Sequence, residues 1–104
     1  MGQGGPAPAP SRIGLALIDA IKTMRRVAFT YHGRRRTAEP QCLGFTFTDA
    51  ETLRGYLPKG GKIPEPLFTI AKMSDVVVLD EHFTRPGPHY KKGDSAMKTI
   101  LAEL

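Results

Sequence analysis

The sequence predicts a mainly β protein: a small antiparallel β-barrel with a helix at its N-terminal end and another at its C-terminal end. Three observations carry this reading. Apolar residues recur at helical spacing over residues 11–26. About five short β-rich runs follow between residues 27 and 80, parted by short turns. Helical spacing then returns at the C-terminus. Successive strands joined by short loops make a meander, and strands this short hide their edges best by curling into a barrel.

In the first element, Ile13, Ala16, Leu17, Ala20, Ile21 and Met24 form one apolar stripe at three- and four-residue spacing. Ser11 is the expected N-cap. Arg25 and Arg26 suit the negative end of the helix dipole. Residues 27–31 alternate, with Val27, Phe29 and Tyr31 on one face, and His32–Gly33 reads as a tight turn. Residues 36–47 form a longer strand in which Pro40 marks an edge position or a bulge. After a turn at 48–51, the strand over 52–57 sets Leu53, Gly55 and Leu57 opposite Arg54 and Tyr56. "PKGGKIPEP" is a loop by composition. Residues 67–73 and 76–80 read as two further strands parted by a turn at Ser74 and Asp75. Asp94 or Ser95 then opens the last helix, with Met97, Ile100, Leu101 and Leu104 on one side.

The chain of 104 residues is one domain, expected over 11–104. Residues 1–10, "MGQGGPAPAP", lack a basic residue and an apolar core segment, so they are expected to be a flexible tail rather than a secretory signal. The longest apolar runs, 15–18 and 76–79, fall far short of the roughly 20 residues that span a bilayer, so no membrane association is expected. Cys42 is the one cysteine, which excludes an intrachain disulfide and fits a reducing cytoplasm.

The formal net charge is +5, a sign that favours polyanionic partners. Its distribution is more telling. Between Asp19 and Glu39 there is no acidic residue, while Lys22, Arg25, Arg26, Arg34, Arg35 and Arg36 all fall in that interval.

No enzymatic signature stands out. Ser11, Ser74 and Ser95 lack the context of a nucleophile elbow, and zinc-hydrolase, dithiol and dinucleotide motifs are missing. "KGGK" at 59–62 faintly resembles a phosphate loop, but Ile63 stands where a hydroxyl would hold magnesium, so it reads as a flexible loop. His32, His82 and His89 lie on a turn, a strand end and a loop, a poor start for converging metal ligands. Asp80 and Glu81 are adjacent and point to opposite faces of a strand. Cys42 reads as a buried, inert thiol. We therefore expect no enzyme, no metal and no cofactor.

What remains is basic and aromatic. Tyr31, Arg36, Arg54, Tyr56 and Lys72 fall on predicted strands or at their ends. Aromatic faces stack on bases, and guanidinium groups grip phosphate. The structural alternative is that the tyrosines are core residues and the arginines are solvated.

The succession "AI…VAFTYHGRRRTAEPQCLGF…LRGYL…LFTIAKMSDVVVLDEHF" resembles the WYL domain family. Ala20-Ile21 match a pair on its first helix, and residues 27–33 match a strand ending in tyrosine and a glycine turn. Arg36, Glu39 and Pro40 match an R-x-x-E-P block. Gly55-Tyr56-Leu57 stands where the family has Trp-Tyr-Leu. Phe68, Lys72 and Met73 match a later strand, with Thr69 in place of its first basic residue. The resemblance implies an Sm-like barrel. It also implies a ligand-sensing role, often beside a DNA-binding helix-turn-helix in bacterial transcription regulators. The implied ligands are nucleic acids or nucleotides. Only one helix precedes the barrel here, so a sensor without a DNA-reading part is expected, acting in trans, self-associating or docking on a regulator protein. The alternative reading is a protein-interaction or self-association module without a small ligand.

Overall fold

The computed structural model describes residues 8–104. The order is α1 (Arg12–Thr23), β1 (Arg25–Tyr31), β2 (Arg34–Thr46), β3 (Glu51–Tyr56), β4 (Leu67–Thr69), a 3₁₀ turn (Ile70–Lys72), β5 (Met73–His82) and β6 (Met97–Glu103). Residues 1–7 of the expected tail lie outside the described residues.

Ser11 caps α1 as expected, its Oγ accepting from the Gly14 N–H at 3.0 Å. Leu17, Ala20 and Ile21 of the apolar stripe are buried, joined by Gly14, whereas Ala16 faces solvent. The helix stops at Met24, which adopts left-handed backbone with φ 54°. Arg25 and Arg26 therefore do not sit on the helix terminus but open β1, correcting the dipole reading. Arg25 donates to Asp80 at 2.9 Å, and Arg26 donates to Glu39 at 3.0 Å.

The turn between β1 and β2 has positive φ at both central residues, 51° at His32 and 74° at Gly33. That matches the right-handed twist of the flanking strands. Val27, Phe29 and Tyr31 face the core as their alternation requires.

β2 organises the sheet. Its first part pairs with β1, from Tyr31↔Arg34 to Val27↔Ala38. Its second part pairs with β3 on one edge and with β6 on the other. Pro40 lies between Ala38, where pairing with β1 ends, and Cys42, where pairing with β6 starts, at a register shift. A residue without an N–H is tolerated in such a gap, so Pro40 marks a bulge as expected.

Among the described residues all pairings are antiparallel, giving a six-stranded sheet in the order β4-β3-β2-β1-β5 with β6 also on β2. The mainly β class is correct, but the sheet is not closed into a barrel. β4 has three residues and runs through the 3₁₀ turn into β5 without pairing with it. Ser74 and Asp75 do not end a strand either. Asp75 takes φ 51° within β5 beside a register shift against β1, so the apparent turn is a bulge in one continuous strand.

The expected C-terminal helix is also corrected: it is strand β6. Its apolar spacing suits a helix, but the free edge of β2 over 42–46 offers a ladder that an isolated short helix cannot match. Gly44 permits this approach, because a Cβ there would collide with the Thr99 carbonyl oxygen. α1 packs across β1, β2, β5 and β6. At this interface Leu17 of α1 meets Val27, Phe29, Leu43 and Leu53, all fully buried. Each contributes about 1.5–3 kcal/mol by leaving water.

Candidate functional site

A groove of about 560 Å³ opens between the β1–β2 hairpin and the loop after β3. The hairpin wall carries Arg34, Arg35 and Arg36. The loop wall carries Lys59, Lys62 and the exposed Ile63. Among the described residues, no carboxylate lines the groove.

Cross-strand pairing sorts the arginines. Arg34 and Arg36 lie opposite Tyr31 and Phe29 and share their face, whereas Arg35 lies opposite Thr30 on the other face. Arg35 is committed there, donating to the Asp75 carbonyl at 2.7 Å and to Thr30 Oγ1 at 3.3 Å. Arg34, Lys59 and Lys62 are exposed. Arg36 is half-buried. Its Nη2 donates to the Tyr31 carbonyl at 3.3 Å, and its Cζ stands 5.9 Å from the centre of the Tyr31 ring. Its Nε is buried and meets no acceptor among the described residues.

Tyr31 is only 9% exposed. Its hydroxyl accepts from the Thr69 N–H at 3.1 Å, and Phe29 and Phe68 meet its ring edge to face, with Phe68 at 5.0 Å. The ring is thus a fixed floor beneath Arg36 and offers no open platform for a stacked base, contrary to the expected stacking.

The other three expected site residues lie elsewhere. Arg54 grips Asp94 with two hydrogen bonds, Nε to Oδ2 at 2.9 Å and Nη2 to Oδ1 at 3.1 Å, and Nη1 donates to the Glu65 carbonyl at 3.0 Å. The bond from Arg54 holds the Asp94 carboxyl below its ordinary range. Tyr56 lines a separate hollow with Arg26, Glu39 and Phe83. Lys72 is exposed on the 3₁₀ turn and lines none of these cavities. The five residues therefore do not form one surface: Tyr31 and Arg36 meet, and Lys59, Lys62 and Ile63 join them. The "KGGK" run, which reads as a flexible loop, was the sequence signal for the two lysines.

Arg36 does not pair with Glu39; Arg26 does. Behind Arg54, Gln41 and Glu65 form a buried polar hub. Gln41 Nε2 donates to Glu65 Oε1 at 2.9 Å, the Gly87 N–H donates to Gln41 Oε1 at 2.6 Å, and the His89 N–H donates to Glu65 Oε2 at 2.6 Å. The hub ties down the segment before β6, and no motif in the sequence announced it. Cys42 is buried, and burial, aided by the nearby charges of Asp94 and Glu103, pushes its thiol up to about 12.

Among the described residues no helix is long and apolar enough to cross a membrane. No known family model matches the chain, and no curated protein is significantly similar to it.

Proposed function

We propose that this chain is a non-enzymatic binding module that takes a nucleotide-like or single-stranded nucleic-acid anion in the basic groove. The observation that carries the reading is Arg36: a guanidinium held in place over Tyr31, with a buried Nε that has no acceptor. A buried donor left unmade costs about 1–3 kcal/mol, and a shift of the Arg36 side chain that brings Nε to a phosphate oxygen in the groove would relieve it. Arg34, Lys59 and Lys62 add attraction over distance, with no acid in the lining to oppose it. The WYL resemblance supports the same ligand class and includes Arg36 in its motif. A second reading, protein interaction, is favoured by the unpaired edge of β2 beside the groove.

The test is a titration with a short oligothymidylate and with free nucleotides over a range of salt. Three to five phosphate contacts give a slope of log K against log salt of roughly −2 to −3.5. Arg36→Ala should weaken binding by about 1.5–3 kcal/mol, the worth of a hydrogen bond to a charged group, and Arg34→Ala by much less. Equal losses would reduce the groove to a diffuse positive field, and a flat salt response would remove the reading.

A further inference from the structure

Over residues 34–38, β2 has a strand on one side only. β1 pairs there, and β3 begins its pairing at Glu39. The two-residue hairpin fixes which groups are free. Tyr31 and Arg34 flank the turn and exchange both backbone hydrogen bonds, so the alternation commits Arg34, Arg36 and Ala38 to β1. The N–H and C=O groups of Arg35 and Thr37 point the other way, toward the groove that both residues line. Among the described residues, no turn, loop or side chain hydrogen-bonds to either N–H.

Such an edge offers donors and acceptors in alternation. A phosphodiester has only acceptors, so it would meet the two carbonyls unfavourably. A peptide in extended form supplies both kinds of group. Its side chains would lie among Arg34, Arg36, Lys59 and Lys62, with no acid opposing them, and beside Leu57 and Ile63, the latter 63% exposed. The matching chemistry is an acidic strand with alternating apolar residues. The chain's own edge strand β5 is a poorer occupant, because Asp80 and Glu81 already pair with Arg25 and Arg26.

We propose that an acidic, extended segment of a protein partner adds as a strand to β2 at Arg35 and Thr37. It would occupy the space beside Arg36 and so exclude the anion proposed above, making the partner a regulator of that site. The strand addition rests on the basic groove and the open edge and does not require the groove to take nucleic acid.

The test uses a fluorescein-labelled hexapeptide of alternating glutamate and valine, read by anisotropy, beside a peptide of the same charge with proline in place of valine. The valine peptide should bind, and the proline peptide, unable to build a ladder, should bind at least about tenfold more weakly. Thr37→Pro deletes one outward N–H at an edge position, where proline is tolerated, and should weaken the valine peptide by about tenfold. Oligothymidylate should compete with the valine peptide for the wild-type protein. Equal binding of the two peptides, or an unaffected Thr37→Pro, overturns strand addition. If Thr37→Pro fails to fold by circular dichroism, the comparison of the two peptides on the wild type decides alone. If the valine peptide binds and the oligonucleotide does not, the nucleic-acid reading falls and strand addition stands.

Discussion

Arg36 lies over the ring of Tyr31, its Cζ 5.9 Å from the ring centre, with its Nε buried and without an acceptor. A group held at such a cost is expected to trade stability for binding. Arg36→Met keeps the apolar stem and deletes the orphan donor. It should therefore melt at the same temperature as the wild type or a few degrees higher. Inorganic phosphate should raise the melting temperature of the wild type by mass action and leave the variant unmoved. Scanning fluorimetry across a phosphate series checks both. A lower melting temperature in Arg36→Met with no phosphate response in either protein would make Arg36 a structural residue.

Cys42 should be inert in the folded protein. Burial raises its thiol to about 12, so almost no thiolate, the reactive form, exists at neutral pH. A disulfide reagent should react with the native protein only as fast as it opens, and at once in denaturant. Stopped-flow absorbance distinguishes these cases, and a fast native reaction would contradict the burial.

Local signals in the sequence were read where neighbours in the chain decide the outcome. Ser11 capping α1, the His32–Gly33 turn, the face shared by Val27, Phe29 and Tyr31, and the bulge at Pro40 all follow from residues close in sequence. The errors arise where distant residues decide. The spacing of Met97, Ile100 and Leu101 is helical, but the open edge of β2, more than 50 residues earlier, draws them into a strand. Asp75 looks like a turn and is a bulge because β1 holds both sides of it. The site shows the same division. Arg36 and Tyr31 meet across a hairpin, so local pairing placed them. What local reading could not see is the partner of Arg54: Asp94 lies 40 residues away in a segment with no regular pattern.

Gly44 should not tolerate a side chain. A Cβ there would meet the Thr99 backbone, which cannot move without breaking the β2–β6 ladder. Gly44→Ala is expected to cost about 1–3 kcal/mol or more as overpacking. The damage should be local first, so amide exchange should speed up across β6 before it does in β1. Protection of β6 equal to that of the wild type would show that the strand can shift to make room.

The Arg54–Asp94 pair should make stability depend on acid pH. Asp94 is nearly buried, with 9% of its side chain exposed, and Arg54 retains 28%. The hydrogen bond from Arg54 lowers the carboxyl in the folded state, whereas in the unfolded chain it titrates near 3.9. A carboxyl with a depressed folded value binds its proton more readily when unfolded. The pair's contribution is therefore complete above the unfolded value and is lost as pH falls through the folded one. Asp94→Asn keeps the shape and removes the charge. Because Arg54 is partly solvated, the cost at pH 7 should lie toward the lower end of about 1.5–3 kcal/mol. For a domain of this size each kcal/mol is worth about 4–8 °C in melting temperature. The gap between wild type and variant should stay constant from about pH 5 to 8 and narrow below about pH 4. Thermal melts at half-unit pH steps check this. A gap that persists unchanged at the lowest pH where both proteins still fold would show that Asp94 acts by shape and neutral hydrogen bonding, not as the charged partner of Arg54.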